Sequence, residues 1–152
     1  MTAVSRSITV ACPRELAFRV FTERMASWWP LATHHIGAVP AATVVIEPRL
    51  GGRWFERGTD GSECPWGRVL AWEPPTRLAL AWQISADWAY DATLETTIEV
   101  RFEALDAATT QVHLEHRGLE AYGGRAAEMV AIFESAGAWT GMLEAFAGAA
   151  RS

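Results

Sequence analysis

The chain has 152 residues, half of them hydrophobic and only 20% charged, which suits a compact globule and excludes a disordered chain. A domain of this length buries about 70% of its unfolded surface, so its core needs no staple, and a single domain over residues 1–152 is expected. A net charge of −5 argues against nucleic acid and anionic membranes as partners, since both attract basic faces.

In chain order, residues 4–12, "VSRSITVAC", alternate polar and apolar and predict a first strand. Pro13 stands where a first helical residue is expected and Glu15 falls in the first turn, favouring the helix dipole. Leu16, Ala17, Val20 and Phe21 then recur at helical spacing over residues 13–23. A further turn or two through Trp28 ends at Pro30. The period next changes from 3.6 to 2. "ATVVIEPRL" is strand-like, Gly51 and Gly52 form a bend or bulge, and "RWFERG" resumes a strand as far as the turn "TDGSECP". "WGRVLAW", "RLALAWQI", "ETTIEVRFEAL" and "TQVHLEH" follow as strands. The mixed charges over residues 95–103 read as a solvated sheet face. One apolar face per strand and short turns predict an antiparallel sheet covered on one side. After "YGG", apolar residues from Met129 to Ala147 keep the helix period for about 20 residues, with Gly137 as the point of a kink or of a division between helices. The class is α+β.

That order of elements is the helix-grip (START/Bet v-like) fold: a curved antiparallel β-sheet wrapped around a long C-terminal helix, with two short helices after the first strand. The segments "CPRELAFRVFTERMASWW", "EPRLGGRWFERGTDG", "WGRVLAWEPPTRLALAW", "VHLEHRGLE" and "GAWTGMLEAF" resemble the START-like, or SRPBCC, superfamily. Within it they resemble the branch similar to the activator of heat-shock protein 90 ATPase. The resemblance runs over residues 5–148 and implies the fold. It does not single out an activity, because the superfamily includes lipid carriers, polyketide cyclases, hydrolases and co-chaperone domains. Only the C-terminal domain of the eukaryotic co-chaperone corresponds to this chain. All thirteen basic residues are arginine, so Schiff-base lysine chemistry and a Walker-type phosphate loop are excluded, and the chain is not itself expected to hydrolyse ATP.

The eight tryptophans are numerous enough to line a cavity as well as a core. The expected wall between sheet and C-terminal helix is Trp29, Trp54, Trp82, Phe102, Met129, Phe133 and Trp139. Glu56 and His116 face inward by strand alternation, with Phe55 facing out. An acid at an inward position is costly unless paired. Either it pairs with Arg53, Arg68 or Arg117 and is structural, or with His116 it orients a ligand or exchanges a proton with one. His34 and His35 are adjacent, so they diverge and lack the spacing of a metal helix. The stretch "SWWPLATHHIG" therefore reads as an aromatic gate, with one of Trp28 and Trp29 in the core and the other at the rim.

No cofactor and no metal are expected. Cys12 and Cys64 follow no metal spacing and read as reduced thiols of a cytoplasmic protein. No stretch reaches the ~18 apolar residues of a membrane span. The leading expectation is a monomer or homodimer that binds a small apolar or amphipathic ligand. The alternatives are a cyclase- or hydrolase-like enzyme using the same cavity, and a co-chaperone-like regulator with a chaperone partner.

Overall fold

The computed structural model describes residues 3–151. Strand β1 (Ala3–Val10) leads into helix α1 (Arg14–Thr22) and a 3-10 turn at Met25–Ser27. Pro13 is extended, with ψ of 154°, and so caps α1 from outside the helix instead of forming its first residue. Then come β2 (Ala41–Ile46), β3 (Arg53–Gly58), β4 (Glu63–Glu73), β5 (Arg77–Trp82), β6 (Thr96–Asp106) and β7 (Thr109–Arg117). Strand β4 begins earlier than the expected turn over 59–65 allows and takes in Pro65. That proline sits opposite Phe55 at a register shift, where a bulge tolerates a residue without an N–H.

The described strands form one antiparallel sheet in the order β1-β7-β6-β5-β4-β3-β2. Every consecutive pair is a hairpin neighbour except β1, which crosses to the far edge beside β7. Register shifts in β2–β3, β3–β4, β4–β5 and β6–β7 bend the strands, and bulges of this kind add twist and curl. The concave face carries Trp54, Trp66, Leu78, Leu80, Ile98, Val100, Phe102 and Leu114, all buried.

The outer face is less open to solvent than the sequence suggests. Glu99 is buried there beneath Arg77, Arg101 and Arg117, with which it forms ion pairs. Burial pushes its carboxyl up, but the hydrogen bonds from Arg77 and Arg117 and the charge of Arg101 prevail and hold it at about 2. Phe55 also points outward, yet it is buried, because the guanidinium groups of Arg53 and Arg57 lie over its ring at 4.3 and 5.5 Å.

The C-terminal segment takes the second of the two courses expected at Gly137, a division: it is two helices, α2 (Ala126–Glu134) and α3 (Gly141–Ala150), in place of one long one. Ser135 is extended, with ψ of 157°, and Ala138 is non-helical at φ −96°, ψ −128°. Both helices bury apolar stripes, Met129 and Phe133 in α2, Leu143 and Phe146 in α3, so each supports the sheet while the break opens space between them. Among the described residues no helix is long and apolar enough to cross a membrane.

Candidate functional site

A cavity of about 550 Å³ opens between the sheet and the break separating α2 from α3. Its size falls within the range of small-molecule sites, roughly 300–1,000 Å³. The sheet contributes Trp66 and Trp82, and the segment leading to β6 adds Ile84 and Trp88. The loop after the 3-10 turn supplies Trp29 and Thr33 to Ile36. Ile132, Phe133, Ser135, Gly137, Ala138, Trp139 and Met142 close it from the helical side.

Each of the four inner-wall indoles has its N–H committed to the protein. Trp29 donates to the His34 carbonyl at 3.0 Å and Trp66 to Glu56 Oε1 at 2.8 Å. Trp82 donates to the Tyr122 hydroxyl at 3.0 Å, which itself donates to the Ile84 carbonyl at 2.7 Å. Trp139 donates to His116 Nδ1 at 3.2 Å. The inner wall therefore presents ring faces and edges to the cavity with its four indole donors already engaged, and rings fixed at one end hold their orientation. Burial, partly offset by the bond from Trp82, pushes the Tyr122 phenol up to about 12.

Of the residues expected to face a ligand, Trp29, Trp82, Phe133 and Trp139 line this cavity. Trp54, Glu56, Phe102, His116 and Met129 are not in its lining; they are buried outside it. Trp54 is enclosed by Trp29, Trp66 and Trp82. Phe102 packs on Phe18 and Phe21, because the inward face of β6 meets α1 at that depth. Trp28 is the core partner of the tryptophan pair, against Phe21 and Phe146.

His116 is fully buried, and desolvation lowers it to about 3, so it is neutral. An indole N–H can only donate, so Nδ1 accepts from Trp139 and the ring proton sits on Nε2. Nε2–H then donates to Thr96 Oγ1 at 2.8 Å, and Thr96 donates to the Trp82 carbonyl at 3.0 Å. This chain of bonds orients the Trp139 indole, anchors the Trp82 backbone and leaves His116 no lone pair for a ligand.

Glu56 is 1% exposed and pairs with none of the three arginines proposed for it. Arg53 pairs with Glu47 and Glu63, Arg68 with Glu95, and Arg117 with Glu99 and Glu115. Three N–H donors converge on its carboxylate instead: Ile36 at 2.6 Å, Gly37 at 3.1 Å and Trp66 at 2.8 Å. Gly37 permits this approach, since a Cβ there would lie 3.0 Å from Oε2. Glu56 thus ties the loop over 35–37 to the sheet and fixes Trp66.

Sequence reasoning missed Trp66, Ile84, Trp88, Ile132 and Met142 and discounted the histidines. His35 lines the cavity, with Nδ1 3.8 Å from Glu56 Oε2. The inward acid Glu56 was the available signal, since a buried carboxylate needs donors and a nearby loop can supply them. Trp88 has a left-handed φ of 62° and is 43% exposed at the cavity rim, a costly geometry for a bulky side chain. Among the described residues, no cluster of three or more His, Cys, Asp or Glu is placed to hold a metal.

No curated protein matches the chain at a significant level. Solved structures do. An anthrahydroquino-gamma-pyrone synthase, Txn09, is 36% identical with a TM-score of 0.68, the alignment covering 97% of this chain and 96% of that one. CalC, a self-sacrificing resistance protein from Micromonospora echinospora, is 27% identical with a TM-score of 0.73, over 97% and 93% of the two chains. An HSP90 activator from Plasmodium falciparum shares the fold at 15% identity and a TM-score of 0.54, over 77% and 73%. The family model described as "Activator of Hsp90 ATPase homolog 1-like protein" matches residues 11–150, and the chain belongs to that family.

Proposed function

We propose that this protein binds a planar aromatic small molecule, of the fused-ring polyketide kind, in the cavity between the sheet and the α2–α3 break. The observation that carries this reading is the wall itself: four inner tryptophans whose N–H groups are all consumed inside the protein. Such a wall rewards stacking and edge-to-face contact with a flat ring system. It offers little to a ligand that needs many hydrogen bonds, the polar side chains of the lining being Thr33, His34, His35 and Ser135, with the Trp88 indole at the rim. The similarity to a synthase of an anthrahydroquino-gamma-pyrone supports the same ligand class. Unpaired Cys12 and Cys64 are in keeping with a reducing, cytoplasmic setting.

Thermal unfolding in the presence of hydroxyanthraquinones, with palmitate as the aliphatic control, tests this reading. A ligand at 100 times its Kd adds about 2.7 kcal/mol to stability, which for a domain of this size raises Tm by roughly 2–4 °C per kcal/mol. Gly137 lines the cavity and a Cβ there meets nothing within 4 Å, so Gly137→Phe is expected to fold and to abolish the shift. A shift from palmitate and none from the anthraquinones would reject the aromatic class.

A further inference from the structure

We infer that His35, positioned by the Glu56 carboxylate, is the general base of this cavity and takes the proton from an acidic hydroxyl of a phenolic or enolic ligand. This rests on the binding reading above and assigns it a chemistry.

Three observations converge. First, His35 Nδ1 is buried and has no hydrogen-bond partner among the described residues, with Glu56 Oε2 the nearby acceptor at 3.8 Å. Second, a quarter of the His35 side chain stays exposed, and the residue lines the cavity. Third, Glu56 is held by two backbone amides and an indole, so it cannot swing to another partner. Glu56 Oε2 at 3.8 Å is beyond hydrogen-bond length, so it favours hydrogen on Nδ1 through its negative charge alone, and that tautomer keeps the Nε2 lone pair for a ligand. His34 does not share this arrangement, because it is exposed and its Nδ1 is engaged by the Thr33 hydroxyl at 2.7 Å. His116 is excluded by its closed chain of bonds.

In the step assigned to His35, the ligand's O–H bond breaks and its electron pair remains on oxygen. The proton forms an N–H bond at Nε2. The imidazolium then stands between the ligand's oxyanion and the Glu56 carboxylate, with Nδ1–H directed at Oε2. Returning that proton to carbon, as the oxyanion's electron pair forms C=O and the adjacent C=C pair takes up the proton, completes an enol-to-ketone isomerisation of the same ligand that consumes no oxidant and no second reactant.

The hydroxyanthraquinone dye alizarin provides the test, since its visible absorption differs between neutral and phenolate forms. At a fixed pH where the free dye is mainly neutral, quenching of tryptophan fluorescence reports binding and the absorption band reports the proton. The dye bound to the wild-type protein is expected to be about tenfold richer in phenolate than the free dye, the scale on which a neighbouring opposite charge acts. Whatever dye His35→Gln binds, as counted by quenching, should be as neutral as the free dye, and imidazole added to His35→Ala should restore the phenolate band. Glu56→Gln should weaken the band. Quenching with no phenolate band, or a band that survives His35→Gln, overturns the role of His35 and leaves the binding reading intact. Absence of quenching by the wild-type protein overturns both.

Discussion

His116 and Glu99 sit on opposite sides of one sheet and respond to acid by different routes. Burial holds His116 at about 3 against its ordinary 6.5. Across that window the unfolded chain takes up a proton that the folded protein refuses, so stability falls as the pH falls, by about 1.4 kcal/mol per pH unit once well below 6.5. Glu99, held at about 2, adds its own loss only below its ordinary 4.5. Between pH 6.5 and 5 the slope is therefore expected to carry a distinct His116 contribution. Glutamine can accept from Trp139 and donate to Thr96, so His116→Gln should fold and show a flatter dependence. Urea unfolding of both proteins at pH 7, 6 and 5 measures this, and parallel slopes would refute the assignment of a neutral buried imidazole.

Strands β4 and β5 bring Trp66 and Trp82 into the cavity wall because Gly67 lets their backbones come together. Gly67 pairs with Trp82 in the register, and a Cβ on Gly67 would lie 1.7 Å from the Ala81 carbonyl oxygen. That obstacle is backbone, so no side-chain rotation relieves it. Gly67→Ala is expected to cost about 3 kcal/mol or more, at the upper end of overpacking penalties, seen as a lower urea midpoint. A midpoint within error of wild type would show that the two strands can separate without loss. Much of this layer was legible beforehand. Strict alternation in β6 and β7 assigns their faces, and the inward direction of Glu56 follows from the same count. The division between α2 and α3 was legible only as one of two courses at Gly137, and its form was not, because Met129, Phe133, Leu143 and Phe146 keep helical spacing on both sides of it. Periodicity records which residues are buried and is silent about an extended Ser135 between them. The donors to Glu56 were hidden for a related reason: Ile36 and Gly37 act through backbone amides in a loop with no period at all.

Across the whole molecule, aromatic rings form one connected network from α1 to α2. Phe21 touches Trp28, Trp28 touches Trp29, and Trp29 touches Trp54, Trp66 and Trp139. Trp82 extends it to His116 and Phe133. Core and cavity wall are thus the same body of side chains, and stability and binding should not separate cleanly. Trp54, fully buried and with no hydrogen bond among the described residues, tests this, since it touches three wall tryptophans without lining the cavity. Trp54→Phe is expected to lower stability by about 1–3 kcal/mol, since a smaller ring leaves a void, and also to weaken dye binding, both read from one titration followed by thermal unfolding. Loss of stability with unchanged affinity would mean that the wall holds its shape without support from behind.

The same network has a consequence for how the protein interacts with light. Among Trp29, Trp54, Trp66 and Trp82, the rings in contact have centres 5.1 to 6.4 Å apart and planes inclined by 42° to 87°. Transition dipoles that close and that skewed do not absorb independently. They share excitation and give paired circular-dichroism bands of opposite sign, so the ultraviolet spectrum of this chain reads out the geometry of its cavity wall.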